Sequence, residues 1–266
     1  QEQAKADPAA AKALQDYFDG ARAYAQAMDG INLGMLVPTG ALGQESIFQV
    51  VGVTHGDAKA IQTAQRKMLE NQQAFMNLMN AQGAMQVNTT FTESAKTIDG
   101  VSLNAFQTKF SPAAGRQPTP QEAQMQQMMA FMYGPQGVSG YTGVVGDNFI
   151  SSMGVSDAVM QQLIASAKSN EDVLSKSPAV QSVAKALPPT HFAAGYFALD
   201  QFVSTLANYA KAFGLPINLQ LPADLPPIGL SASTEGTAVR VDTYVPTQLI
   251  QSLVAAGMQA KMQMQA

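Results

Sequence analysis

The sequence predicts an α+β fold in which antiparallel hairpins form a sheet and amphipathic helices pack on it. Strand-like runs flank three glycine-containing turn signals, at Asp99-Gly100, Gly146-Asp147-Asn148 and Glu235-Gly236. Turns of this composition favour hairpins. The order strand, helix, hairpin, helix also occurs twice, in residues 47–133 and again in residues 191–266. This recurrence indicates an internal duplication of one strand-helix-hairpin-helix unit.

The N-terminal part of the chain predicts two helices on either side of a buried strand. Asp7 is a candidate N-cap and Pro8 suits the first helical position, so a helix is expected from there to about residue 29. Residues 31–43 are rich in glycine and apolar residues and predict either a strand or a loop. A buried strand is predicted at residues 46–54, and Asp57 then caps a long helix whose apolar residues recur at helical spacing.

The first predicted hairpin joins strands at residues 85–97 and 101–110. In the second strand the apolar positions change phase between Leu103 and Phe106. A change of phase moves apolar side chains to the other face of a strand. The pattern therefore predicts a β-bulge near Ala105 and Phe106.

A methionine-rich helix is predicted after this hairpin. Thr119, Pro120 and Glu122 form a capping box with proline at the first helical position, and the helix runs to about Tyr133. One side of it carries Met125, Met128, Met129 and Met132. Thioether side chains repack around varied apolar partners, so this stripe is a candidate apolar interaction surface. The alternative is that the stripe packs on the sheet, as apolar helix faces usually do.

The C-terminal part repeats the alternation of strands and helices. A helix that begins at Ser156 carries an apolar stripe, and a buried strand is predicted at residues 191–199. Helical periodicity returns at residues 200–214, and a closing helix begins near Pro246.

In the last predicted strand, apolar and polar residues alternate. Val239 and Val241 alternate with Arg240 and Asp242. Such alternation predicts one buried and one solvent-facing side, so we expect helices on one face of the sheet.

Length and composition bound the domain organisation and the partners. The 266 residues are expected to form two halves, 1–134 and 135–266, or one continuous domain. Charged residues make up 13% and the net charge is -4, without a cluster of Lys and Arg, which disfavours nucleic acid as a partner. No apolar run reaches the ~18 residues that a membrane-spanning helix requires, so no transmembrane segment is expected. Cysteine is absent, as is more common in exported bacterial proteins than in cytosolic ones.

The residues give no pattern typical of a catalytic, cofactor or metal site. Metalloprotease, phosphate-loop, dinucleotide-binding and nucleophile-elbow motifs are absent. His55 and His191 lack the neighbouring groups that catalysis requires, since Asp57 beside His55 is explained by helix capping. Thioethers can hold Cu(I), but the methionine stripe has no nearby His or Cys to complete a site. We therefore expect no enzyme activity, no metal and no cofactor.

Three segments resemble stretches of uncharacterised bacterial extracytoplasmic proteins built from repeated strand and helix units. They are TIDGVSLNAFQTKF at 97–110, GYTGVVGDNFISSMG at 140–154 and PPTHFAAGYFALDQFV at 188–203. The resemblance implies export and no recognised catalysis. The first residue is Gln1 rather than Met, which is consistent with a processed chain whose signal peptide has been removed.

Together these patterns predict a non-enzymatic structural or interaction protein of the bacterial envelope or cell exterior, an assembly subunit in the periplasm, at the cell surface or secreted. Low charge and abundant amides suit a protein that contacts another protein, either a second copy or an envelope partner. The alternative is a periplasmic carrier or chaperone that holds an apolar ligand between sheet and helices, for which Met and Phe supply the apolar lining.

Overall fold

The structure is a computed structural model that describes a set of residue ranges. They are 8–36, 46–47, 49–79, 85–112, 119–134, 137–169, 176–212 and 221–264. The predicted cap at Asp7 lies outside these ranges, as do residues 37–43 of the segment predicted as a strand or a loop. The described elements are seven helices and nine strands in two antiparallel sheets, which confirms the predicted α+β class. Two compact units are formed, Gln1–Asn170 and Glu171–Ala266, so the sequence-based division at residue 134 falls inside the first unit.

The first unit contains four helices and six strands within the described ranges. In chain order they are α1 (Pro8–Ala27), β1 (Met28–Leu36), β2 (Gln49–Gly56), α2 (Ala58–Met79), β3 (Met85–Ile98), β4 (Val101–Pro112), α3 (Pro120–Tyr133), β5 (Val138–Val145), β6 (Asn148–Met153) and α4 (Asp157–Ser169). The sheet has the order β1-β2-β6-β5-β4-β3 and is antiparallel throughout. Both predicted hairpins of this unit are confirmed, because β3 pairs with β4 and β5 pairs with β6.

Turn chemistry fixes the β3–β4 hairpin. Asp99 and Gly100 have φ of 48° and 79°, and a two-residue hairpin turn with positive φ at both central positions is the type that favours Asp-Gly. The start of α2 follows local chemistry in the same way. The Ala60 amide donates to Asp57 Oδ1 at 3.0 Å, so the predicted N-cap is confirmed.

Helices cover both faces of the six-stranded sheet. Phe149 and Ile150 are consecutive residues of β6 and both are fully buried, and consecutive strand residues point to opposite faces. Phe149 packs with Ile61 of α2, whereas Ile150 belongs to a core cluster with Met160 of α4. The expectation that helices cover one face is therefore wrong for this sheet.

The predicted bulge in the second strand of the first hairpin is also wrong. β4 pairs without interruption with β5, and the irregularity lies in β3, between Thr92 and Lys96. The apolar phase changes in β4 because both faces of the sheet are covered. Leu103 lies in the core cluster that contains residues of α4. Phe106 is three residues further along the strand and therefore points to the opposite face of the sheet.

The second unit contains three helices and three strands within the described ranges. They are α5 (Pro178–Ala184), β7 (Ala193–Phe197), α6 (Leu199–Ala212), β8 (Ile228–Glu235), β9 (Ala238–Tyr244) and α7 (Thr247–Met264). The sheet has the order β7-β8-β9, and the predicted hairpin turns at Gly236, where φ is 62°. β7 is an edge strand in which Ala193 and Phe197 are exposed, so the prediction of a buried strand at residues 191–199 is wrong.

The internal duplication is not confirmed. The order strand, helix, hairpin, helix occurs in both stretches, but the strands pair differently. In the second unit β7 pairs directly with the following hairpin through β8. In the first unit β2 pairs with β1 and β6 and not with the hairpin β3–β4.

Among the described residues, no helix combines the length and the apolar character needed to cross a membrane.

Candidate interaction surfaces

The methionine stripe of α3 is divided between exposed and partly buried positions. Met125 and Met128 are exposed, at 45% and 51%, while Met129 and Met132 are partly buried. The helix begins at Pro120 as predicted, although the side chain of Glu122 lies outside the description. Its last turn is held by residues 46–47, because the Ile47 amide and the Ser46 hydroxyl donate to the Met132 carbonyl at 3.0 and 3.1 Å. Only the Met125 and Met128 part of the stripe is thus open to a partner.

The edge strand β1 presents a second apolar surface. Ile31, Leu33 and Met35 alternate along the strand and lie on one face, and all three are exposed, Met35 by 70%. Leu33 lies beside Gly52 of β2, where an added Cβ would be 2.9 Å from Leu33 Cδ2. β1 hydrogen-bonds only to β2 among the described strands. The surface therefore combines an apolar face with an open strand edge, a combination that invites pairing with another chain.

The three-stranded sheet has an unusual distribution of polarity. On the face towards α5, Gly229 and Ser231 are buried, and a Cβ added at Gly229 would meet Val183 and Leu187. On the other face, Leu230 is exposed by 42%. The helix-covered face is therefore small and polar, and the open face is apolar.

β9 forms one edge of this sheet, opposite β7, and no described strand other than β8 pairs with it. Val239 and Val241 are exposed by 64% and 66%, on the apolar face with Leu230. On the opposite face the Arg240 guanidinium donates two hydrogen bonds to Asp242 Oδ1, at 2.8 and 3.0 Å. The hydrogen bonds to Asp242 and the charge of its carboxylate raise the pKa of Arg240, so the guanidinium stays charged.

Helix α7 carries an apolar stripe at a spacing of four residues. Ile250, Val254 and Met258 are all exposed, whereas Leu249 and Ala256 are buried on another side of the helix. Residues four apart lie on one face of a helix. α7 therefore has one buried apolar side and one exposed apolar side.

A series of polar side chains is centred on His55. The Asn32 amide contacts His55 Nε2 at 3.0 Å, and His55 Nδ1 contacts Asn148 Oδ1 at 2.7 Å. The Asn148 amide donates to the Ala167 carbonyl at 3.1 Å. With the proton on Nδ1, one tautomer satisfies the whole series from β1 to the end of α4. Both ring nitrogens are thus engaged by amides, an arrangement that links strands and a helix rather than activating a nucleophile.

The remaining polar candidates are dispersed. His191 Nδ1 lies 2.8 Å from the Pro188 carbonyl, which explains the ring as a local turn contact. Asp200 is buried in the first turn of α6, where the helix dipole favours a carboxylate, and its Oδ1 has no hydrogen-bond partner among the described residues. Within the same ranges, no three His, Asp or Glu side chains come together in a way that could hold a metal ion.

Sequence reasoning missed the surfaces of β1, β9 and α7. The alternation of Val239 and Val241 with charged residues predicts a buried face, but both valines are exposed. The stripe of Ile250, Val254 and Met258 has the helical spacing of a core stripe as well. Neither pattern tells whether the apolar side is covered within the same chain or by a partner.

Comparison of the chain with protein-family models, with curated protein sequences and with solved structures found no match.

Proposed function

We propose that the protein is a non-enzymatic interaction protein, an assembly subunit of the bacterial envelope or cell exterior. The observation that carries this proposal is the reversed polarity of the three-stranded sheet. Gly229 and Ser231 are buried on the sheet face towards α5, while Leu230, Val239 and Val241 remain exposed. Contiguous exposed apolar area is typical of surfaces that meet another protein, and its burial stabilises a complex by roughly 25 cal/mol per Å².

Two further surfaces support an assembly role. The edge strand β1 and the α7 stripe also expose large apolar side chains, at Leu33, Met35, Val254 and Met258. A subunit that contacts neighbours on more than one side needs separate surfaces of this kind. The extracytoplasmic location is supported by composition, since the chain has 13% charged residues and no cysteine.

The carrier alternative has less support. Ile150, Met160 and Ile164 are fully buried and fill the space between the six-stranded sheet and α4. The open concavities along this sheet are lined largely by polar groups, such as Glu93 and Asn104 in one and Asp29 in another. An apolar ligand held between sheet and helices would need a lining of the opposite character.

Light scattering combined with size exclusion tests the proposal. We expect a mass above the 28.0 kDa of one chain at micromolar concentration. Leu230→Lys places a charge on the open sheet face and should lower that mass. Gln161→Lys, at an exposed position of α4, is the matched control and should not. A chain that stays monomeric and co-purifies with a lipid detected by mass spectrometry would favour the carrier, and a monomer without ligand would refute self-assembly.

A further inference from the structure

We propose that β9 pairs with β9 of a second copy of this chain, in antiparallel orientation, about a two-fold axis that passes beside Val241. The two three-stranded sheets would then form one continuous six-stranded sheet. This inference deepens the proposed assembly function and rests on it. It assigns the edge of β9, which no other described strand occupies, as the contact.

The outer edge of β9 presents backbone groups that are ready to pair. Glu235 and Ala238 flank the two-residue turn and are register partners, and residues that flank such a turn form a hydrogen-bonded pair. Because hydrogen-bonded pairs alternate along an antiparallel ladder, the even-numbered residues of β9 direct their N–H and C=O groups to β8. Those of Val239, Val241 and Thr243 therefore point to the open edge.

One register satisfies the backbone groups and the charges together. With the axis beside Val241, the two copies of Val241 form a hydrogen-bonded pair, and Val239 of each copy pairs with Thr243 of the other. This arrangement gives about six backbone hydrogen bonds. Arg240 of each copy then lies opposite Asp242 of the other, at non-hydrogen-bonded positions where side chains approach most closely. Opposite charges directly across strands are stabilising.

The neighbouring registers are worse for physical reasons. An axis beside Arg240 sets two guanidinium groups against each other, and an axis beside Asp242 does the same with two carboxylates, which is destabilising. Axes beside Val239 or Thr243 keep the hydrogen-bond directions but pair a shorter length of strand. The strand is therefore self-complementary about Val241 alone.

The same register also extends the exposed apolar face. Val239, Val241 and Thr243 are β-branched and share one side of β9, so the two copies bring these side chains together across the axis. A closed two-fold contact of this kind uses the same surface on both copies. One strand edge is small compared with a standard interface, so we expect a Kd of the order of micromolar.

Cysteine cross-linking of the whole chain tests the axis directly, because the sequence contains no cysteine. In a hydrogen-bonded pair the two Cα atoms of residue 241 lie about 5.5 Å apart, within the range of a disulfide. Val241→Cys should therefore form a covalent dimer on mild oxidation. Val239→Cys is equally exposed but lies away from the axis, and it should give roughly tenfold less. Adding Thr243→Cys to Val239→Cys should restore cross-linking, which shows that these positions react. Equal yields from the two single variants would overturn the proposal.

Charge reversal tests the register by an independent route. In a dimer of the Arg240→Asp variant, the new carboxylate lies opposite Asp242 of the other copy. In a dimer of the Asp242→Arg variant, the new guanidinium lies opposite Arg240. Each variant alone should therefore dimerise roughly tenfold more weakly. An equimolar mixture restores both opposite pairs, and sedimentation velocity should show that it associates as well as the natural chain. Loss of folding in either variant, checked by circular dichroism, cannot produce this recovery. A mixture that associates no better than its components would overturn the register.

Failure of this pairing is distinguishable from failure of the assembly proposal. If light scattering finds an oligomer and Val241→Cys does not cross-link, the chain assembles through another surface. If the natural chain is monomeric at concentrations well above micromolar, both proposals fail.

Discussion

Replacement of Gly229 by alanine tests how closely α5 packs on the three-stranded sheet. A Cβ at residue 229 would lie 3.2 Å from Leu187 Cδ1 and closer still to Val183 Cγ1. Val183 is fully buried and Leu187 nearly so, which leaves neither side chain room to move aside. Inserting a methyl into a filled contact costs about 1–3 kcal/mol. Alanine also restricts the unfolded chain, which offsets about 0.4–1 kcal/mol. We expect a net loss of about 1–2 kcal/mol.

Thermal unfolding measures this loss, and Gly195→Ala is the matched control. Gly195 lies in β7 of the same sheet, and an added Cβ there meets no atom within 4 Å. For a unit of this size, 1 kcal/mol corresponds to roughly 4–8 °C in melting temperature. The Gly229 variant should therefore melt about 5–15 °C lower, and the Gly195 variant should be unchanged or slightly more stable.

A double variant separates the clash from other effects of the substitution. Val183→Ala removes the methyl groups that the new Cβ would meet, so Gly229→Ala should cost less in that background than in the natural chain. If Gly229→Ala and Gly195→Ala melt alike, or if the double variant loses the sum of the two single losses, α5 does not pack on the sheet at Gly229.

Three further predictions test the first unit. Asp57→Ala removes the acceptor of the Ala60 amide and should cost about 1 kcal/mol in urea unfolding, with Asp57→Asn close to the natural chain. A hydrogen bond from Lys12 lowers the pKa of Asp16 below its ordinary value of 3.8. This interaction stabilises the folded state at pH values above the ordinary pKa, and its contribution is lost as the pH falls through the lower pKa of the folded state. Asp16→Asn should therefore make the melting temperature depend less on pH in acid. The effect is small, and added salt should suppress it. Met128→Asp lies at an exposed site and should change the free energy of unfolding by less than about 0.5 kcal/mol. Met160→Asp buries an unpaired charge and should cost several kcal/mol. Equal losses in the two variants would mean that the Met128 side of α3 is part of the core.

The sequence predicts those parts of the fold that short-range chemistry determines. The turn at Asp99-Gly100 needs two residues with positive φ, and Asp57 needs only the amide three residues later. Both signals lie within a few residues of the structure that they specify. The buried stripe of α4, which includes Met160 and Ile164, follows in the same way from helical spacing.

Long-range pairing could not be predicted from these local patterns. β2 pairs with β6, and His55 lies opposite Asn148, 93 residues further along the chain. The helices on both faces of the first sheet follow from this pairing, because β6 is a central strand with Phe149 and Ile150 facing opposite ways. The apolar phase change in β4 therefore reflects two covered faces and not a bulge.

The candidate surfaces were harder to predict because an apolar stripe has the same pattern whether it is covered within the chain or outside it. The methionine stripe illustrates this limit. Its four residues share one side of α3, but Met128 is exposed and Met132 is partly buried. Helical spacing places them together and does not fix their depth.

The two sheets differ in how their apolar residues contribute to stability. In the first unit both faces of the central strand bury large side chains, such as Phe149 and Ile150, so the hydrophobic stabilisation from this strand arises within the chain. In the second unit the covered face holds Gly229 and Ser231, which let α5 approach closely but bury little apolar area. The residues that could add hydrophobic stabilisation, Val241 among them, lie on the open face and contribute only when another molecule covers them. Any partner that binds this face therefore also stabilises the fold of the second unit, which links assembly to folding by mass action.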